Sequence, residues 1–327
     1  MLSPWQSQHL DSALAAWRAG RLGHAQLLCG PEALGKRAVA EALAARLLCE
    51  AEPSLPTCGV CRSCQLRLAG THPDLRVITL EENEKPPHKL RTEIVIQQIR
   101  MLGEAMHLTS QRGGAQVVVI DPAELMNNAA ANALLKTLEE PASNRFLLLV
   151  SAAPHRLSAT IRSRCQRMEF GLPQQGDALA WLVERGHEPS KALQALEAAQ
   201  GHPGLADRWL AAGHLVLRDE VLRDLAALGR GTAAPLDVAQ AWVGDAPLAP
   251  LRLRFAADAA LALARSIAGA ALPPGLTPPR DVDKLGQWFE QMNRLRAQLA
   301  APLKHELALA GLLGEWRSMQ ATTETRR

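Results

Sequence analysis

Two stretches of this chain are apolar at every position: Val117-Val118-Val119-Ile120 and Phe146-Leu147-Leu148-Leu149-Val150. A strand with one wet face alternates apolar and polar residues. Strands as uniformly apolar as these are buried on both faces, which is the condition of a parallel sheet covered by helices. Around them, strand-like runs at 25–29, 75–80, 115–120, 146–151 and 167–170 alternate with helical patterns at about 35–48, 93–106, 127–139 and 157–163. Ile94, Ile99, Leu102 and Met106 fall near one helical face. Parallel strands need long crossover connections, so this alternation predicts an α/β domain over 1–170, its sheet covered by helices on both faces.

The pattern ends at Gly171-Leu172-Pro173, a punctuation that neither helix nor strand continues through. Beyond it only helical periodicity is found, at about 174–186, 188–200, 203–212, 215–229, 235–244, 250–270, 281–300 and 302–318. The proline-rich segment 272–279 is a stiff connector between two of these. The reading is therefore α/β plus all-α in three parts: 1–170, a small helical unit at 171–212, and a larger helical unit at 213–327. A unit of about 40 residues buries too little surface to stand alone and must pack on its neighbours. The polar end at 322–327 is expected to fray.

Composition excludes several classes. With 47% hydrophobic and 21% charged residues, the 327-residue chain is globular rather than disordered or collagenous. Lys plus Arg number 36 and Asp plus Glu 33, so a net charge of +3 demands no nucleic-acid partner. Aromatics make up 3% and Tyr is absent, a poor basis for a binder that stacks single-stranded bases. No apolar run reaches the ~18–20 residues of a membrane span. The N-terminus has no basic region followed by an apolar stretch, which sets the expectation of a cytoplasmic protein with no signal peptide and no membrane partner.

After the first strand, Gly30-Pro31-Glu32-Ala33-Leu34-Gly35-Lys36-Arg37 matches seven of the eight positions of the phosphate loop G-x-x-x-x-G-K-[ST]. Gly30, Gly35 and Lys36 are the candidate nucleotide-binding residues. Glycines let backbone N–H groups cradle phosphate, and the following helix N-terminus adds positive potential. The eighth position should give Mg²⁺ a hydroxyl, but Arg37 is a cation with no acceptor. Asp121 ends the third strand as the expected Mg²⁺-side carboxylate. The next position, where many ATPases of this architecture carry a water-polarising Glu, is Pro122, and Glu124 would need a different geometry. An ordinary strand–helix turn and a Mg²⁺-free nucleotide site (ATP or ADP) both remain compatible with the residues; a competent ATPase fits them least.

Cys49, Cys58, Cys61 and Cys64 lie within 16 residues, and no His occurs among them. In a reducing compartment such a cluster points to metal rather than disulfides. Two successive C-x2-C steps suit a tetrahedral Zn²⁺ site, with Pro56 and Gly59 allowing the turns. Four thiolates leave no position for water, so the zinc would be structural. Buried thiols and an iron–sulfur cluster are the alternatives. Cys29 and Cys165 read as buried small hydrophobes.

These motifs occur in a particular order. Arg21-Leu22-Gly23-His24-Ala25 leads into loop 30–37, and the four cysteines follow. Then come Gly70-Thr71-His72-Pro73-Asp74, Asn132-Ala133-Leu134-Leu135-Lys136-Thr137-Leu138-Glu139-Glu140-Pro141 and Ile161-Arg162-Ser163-Arg164-Cys165. In this order the sequence resembles bacterial clamp-loader subunits of the AAA+ superfamily, strongly over 20–170 and more weakly beyond. The resemblance implies a RecA-like domain with a zinc module at 49–64, a helical lid and a helical collar that assembles the complex. It implies a subunit of the DNA polymerase III holoenzyme, a nucleotidyltransferase complex, acting in DNA replication. The partners would be gamma/tau and delta subunits, the sliding clamp and, through the complex, primed DNA.

The degraded motifs, and Gly204 where ATPases of this group carry a lid Arg, imply a member that does not hydrolyse ATP itself. The resemblance also assigns Arg164 of Ser163-Arg164-Cys165 as an arginine finger reaching a neighbouring gamma/tau ATP site. A self-standing AAA+ ATPase acting on DNA or protein is the alternative function. Ser151 sits where an active ATPase would sense the γ-phosphate and reads as vestigial, while His72 and His155 read as structural. Lys136 is expected to pair with Glu139 or Glu140 along its own helix.

Overall fold

The computed structural model describes residues 2–83, 88–140, 142–267, 269–277, 281–299 and 304–320. Pro141, Pro278-Pro279 and the 322–327 tail of the sequence reading lie outside them. The chain divides into two compact units, Met1–Ala206 and Asp207–Arg327.

The first unit opens with α1 (Pro4–Arg18), β1 (Ala25–Cys29), α2 (Lys36–Leu48), α3 (Arg62–Leu68), β2 (Leu75–Ile78) and α4 (Ile96–His107). It continues through β3 (Gln116–Ile120), α5 (Asn128–Glu139), β4 (Arg145–Ser151), α6 (Ala159–Arg164), β5 (Gln166–Glu169), α7 (Gln175–Glu184) and α8 (Pro189–Ala198), then into α9 (Pro203–Ala211). The five strands form one sheet in the order β2-β3-β4-β1-β5, parallel throughout. The expected covered parallel sheet is therefore present. The all-apolar strands explain themselves: Val118, Ile120, Leu147 and Leu149 face one core with α4, α5 and α6, while Val117, Val119, Leu148 and Val150 face another with α1 and α2. Each fully buried aliphatic of this kind contributes ~1.5–3 kcal/mol by leaving water.

Sequence reading missed α1 and α3. The signal for α1 was present: Ser3 stands at its N-cap, Pro4 opens it, and the Gln6 side chain accepts from the Ser3 N–H at 3.0 Å. α3 is seven residues long, too short for periodicity to reveal.

Asp74, between the cysteine region and the sheet, is buried and accepts from Ser110 Oγ (3.0 Å) and from the backbone N–H of Gln111 (2.9 Å) and Arg112 (3.0 Å). It pins the turn that feeds β3. Asp74→Ala removes all three hydrogen bonds to this carboxylate, so a loss of ~2–4 kcal/mol is expected in urea unfolding. A change inside ~0.5 kcal/mol, the range of an ordinary surface substitution, would show that the turn holds without it.

The second unit carries α10 (His214–Gly229), α11 (Pro235–Gly244), α12 (Ala249–Ile267), α13 (Val282–Gln298) and α14 (His305–Gln320). No strand occurs among its described residues, as expected. Three buried indoles lock it, each with its N–H satisfied: Trp242 to Asp224 (2.8 Å), Trp288 to the Leu312 carbonyl (2.7 Å) and Trp316 to the Leu225 carbonyl (3.0 Å). No described helix is long and apolar enough to cross a membrane.

Candidate functional site

Parallel strands bring their carboxyl ends to one edge, and the candidate nucleotide residues collect there. Loop 30–37 follows β1, Asp121 follows β3 and Ser151 ends β4. The geometry that results is closed upon itself. Lys36, 6% exposed, donates to the carbonyls of Gly30 (2.8 Å) and Pro31 (2.6 Å) in its own loop. Burial pulls its ammonium below the ordinary lysine range, against the opposing charges of Glu124, Glu32 and Asp121. Gly35 sits in the left-handed region at φ 84°, and a Cβ there would run into the Gln6 side chain. Gln6 Nε2 and Trp5 Nε1 each donate to the Leu34 carbonyl at 3.3 Å, so the first turn of α1 covers the loop.

Gly204, in the first turn of α9, approaches the Ala33 carbonyl so closely that any Cβ would collide. An arginine in that place is sterically excluded.

The metal side of the cradle is rewired. Arg37 forms an ion pair with Asp121, joining the two positions that would otherwise share Mg²⁺. Glu124 accepts from the backbone N–H of Ala152 (2.9 Å) and Ala153 (3.3 Å), so its carboxylate clips the end of β3 to the end of β4. Ser151 is fully buried and accepts from Ala153 N–H at 3.2 Å. The occupations of Arg37 and Glu124 are not legible in the sequence, because both depend on groups 28 or more residues apart meeting at the sheet edge.

The four cysteines do converge. Their sulfurs lie within 4.8 Å of one another, with Cys49 to Cys58 at 3.6 Å and Cys58 to Cys64 at 4.0 Å. A tetrahedron of thiolates ~2.3 Å from a central ion has sulfurs ~3.8 Å apart, so the donor set fits a metal ion. Backbone donors already point at the sulfurs: Cys58 N–H to Cys49 (3.4 Å), Cys61 N–H to Cys58 (3.3 Å) and Cys64 N–H to Cys61 (3.4 Å). For Cys49 these donors outweigh burial and hold the thiol below its ordinary range, whereas burial pushes Cys64 up to about 12. Arg46, 1% exposed, donates to the carbonyls of Ala51 (3.1 Å) and Glu52, holding the segment that leaves α2. No cysteine is in a disulfide, and Cys29 and Cys165 are buried as expected, with burial pushing Cys165 up to about 11.

Arg164 ends α6 with its side chain 35% exposed. Nη1 donates to the Thr160 carbonyl at 3.1 Å and Nη2 pairs with Glu139 at 2.7 Å. Glu139 thus turns to the neighbouring helix rather than to Lys136. His72 accepts from the Asp74 N–H at 3.1 Å, a structural use; burial lowers its pKa.

The chain has close relatives of known family. Residues 5–174 match the family model described as DNA polymerase III, delta subunit. The chain is 38% identical over 97% of its length to the DNA polymerase III subunit delta' of Pseudomonas aeruginosa, of which it covers 97%. The chain belongs to the delta' family of DNA polymerase III subunits. The delta' of Escherichia coli is 36% identical over 64% of this chain and 62% of its own length. The E. coli tau subunit is 33% identical over 59% of this chain and 30% of its own. The family bears out the resemblance to clamp-loader subunits read from the motif order.

Proposed function

We propose that this delta' subunit is the non-hydrolysing member of its clamp loader and gives Arg164 to the ATP site of a neighbouring gamma/tau subunit. With gamma/tau and delta it would open the sliding clamp and close it on primed DNA in the cytoplasm. The observation that carries the reading is the Arg37–Asp121 ion pair, which puts a guanidinium where an ATPase needs Mg²⁺. Lys36 is bonded to its own loop, and one oxygen of Glu124 is taken by the Ala152 and Ala153 amides, which further supports the reading.

The same proposal takes 171–212 as the lid and 213–327 as the collar, supported by the run of helices there with no strand among the described residues. It takes the metal to be zinc, supported by an all-thiolate donor set at tetrahedral spacing, and its role to be structural.

The isolated chain is expected to turn over ATP at background. Lys36→Ala should leave the ATPase rate of the assembled loader within about twofold of the parent, since a lysine that holds no nucleotide contributes nothing to transition-state binding. Turnover by the isolated chain that Lys36→Ala abolishes would sink the reading and promote a self-standing ATPase. Proteins copurifying with the chain should include gamma/tau and delta.

A further inference from the structure

Arg164 does not hang free at the end of α6. It is latched at two points, the Thr160 carbonyl one turn back and the Glu139 carboxylate on α5. The two helices are fixed against each other by apolar burial: Leu134 and Leu138 of α5 share a core with Leu157 and Ile161 around α6. That packing delivers Glu139 to Arg164 whatever the side chains themselves prefer.

Glu139 has no good reason to be acidic for its own helix. It is the last residue of α5, where the unsatisfied carbonyls make the helix end negative and a carboxylate is unfavourable. Its side chain is 50% exposed, and an ion pair so exposed adds little stability. Local stability thus fails to account for it, and geometry offers another role. A guanidinium has five N–H donors in a rigid plane. The latch commits two, one on each terminal nitrogen. Nε–H and one N–H on each terminal nitrogen stay available to a phosphate presented from outside the chain. Thr160 O also accepts from Ser163 Oγ at 3.0 Å, so the anchor of the latch is itself tied into α6.

We propose that Glu139 is a positioning residue for the arginine finger, holding the Arg164 guanidinium at the α5–α6 edge with its remaining donors facing out. This rests on the reading of Arg164 as a finger in trans. Without the carboxylate, the side chain must be immobilised from a wider set of rotamers each time the neighbouring site fires. An ordering cost of that kind, for one long side chain, corresponds to a loss of about threefold to tenfold in rate.

The test uses the complete loader with gamma/tau, delta, clamp and primed DNA, and compares Glu139→Gln, Arg164→Ala and the double variant. Glu139→Gln keeps the shape and removes the charge. It should lower kcat and kcat/KM for ATP together, about threefold to tenfold, because the finger acts only in the transition state. In the Arg164→Ala background it should change nothing further. Assembly by gel filtration and the melting temperature of the isolated chain should match the parent.

An undiminished rate with Glu139→Gln alongside a fall with Arg164→Ala overturns the positioning role and leaves the finger standing. Losses that multiply in the double variant also overturn it, since Glu139 would then act through something else. A rate increase overturns it as well, by making the carboxylate a restraint on the finger. A loader indifferent to Arg164→Ala removes the finger and its positioning residue together.

Discussion

Arg164→Ala is expected to leave the subunit folded and assembled while the DNA-stimulated ATPase of the loader collapses at the site it serves. An arginine finger supplied in trans neutralises charge spreading over the transferred phosphoryl group, and its removal costs ~10³–10⁵ in rate at that site. The stability side is small, because the side chain is 35% exposed and its partner Glu139 50% exposed, which keeps the loss of the pair within ~1 kcal/mol. The subunit's own cradle, with Arg37 on Asp121 and Lys36 on its loop carbonyls, would offer such a finger no target.

How far total turnover falls depends on coupling between sites: a partial loss if the ATPase subunits fire independently, a near-complete loss if they fire in sequence. Arg164→Lys should rescue poorly, since an ammonium keeps the charge and loses the planar fork. The measurement is ATP turnover and clamp loading by assemblies that differ at this residue alone. Full activity of the Arg164→Ala assembly would make the Ser-Arg-Cys segment a structural feature.

The second large effect is expected at the cysteines. The chain should carry about one zinc per molecule after purification without chelator, as a closed four-thiolate site requires. Cys64 is buried at the start of α3, its sulfur among the other three. Cys64→Ser removes one ligand, and the metal should leave under mild chelation. Structural zinc is worth ~10–16 kcal/mol in small domains, so its loss should unfold the region 49–70 even where the rest of the unit survives.

Two readouts follow this. Elemental analysis should fall from about one zinc toward zero, and amide protection across α3 should be lost while β1, β3 and β4 keep theirs. Acidification should release the metal from the parent in the same way, because protons compete for the thiolates. Zinc-free protein with α3 fully protected would show that burial and N–H···S bonds alone hold the knuckle. An iron–sulfur absorption band would change the metal.

The sheet, the cysteine cluster and the family were all legible in the residues alone. Val117–Ile120 and Phe146–Val150 have no polar position to turn toward water, so only a doubly covered sheet accommodates them. Four cysteines inside 16 residues cannot avoid meeting when the turns between them are tight. Motif order is a linear property, and it survived translation into the family intact. What sequence could not supply was the use to which individual polar groups are put. Arg37 was recognisable as unfit for Mg²⁺, but its engagement with Asp121 joins residues 84 apart. Glu124 was recognisable as misplaced, but its hold on two amides beyond β4 depends on β3 and β4 lying side by side.

Gln6 lies in a helix the sequence reading passed over, and its cover of Gly35 exists only once α1 packs on α2. Glu139 looked like a partner for Lys136 along one helix, and the tertiary structure gave it to Arg164 across two. The physical reason is common to all four. Apolar burial is read from periodicity because each residue answers to solvent alone, whereas a hydrogen bond or ion pair answers to a specific partner whose position is settled by the packing of other elements.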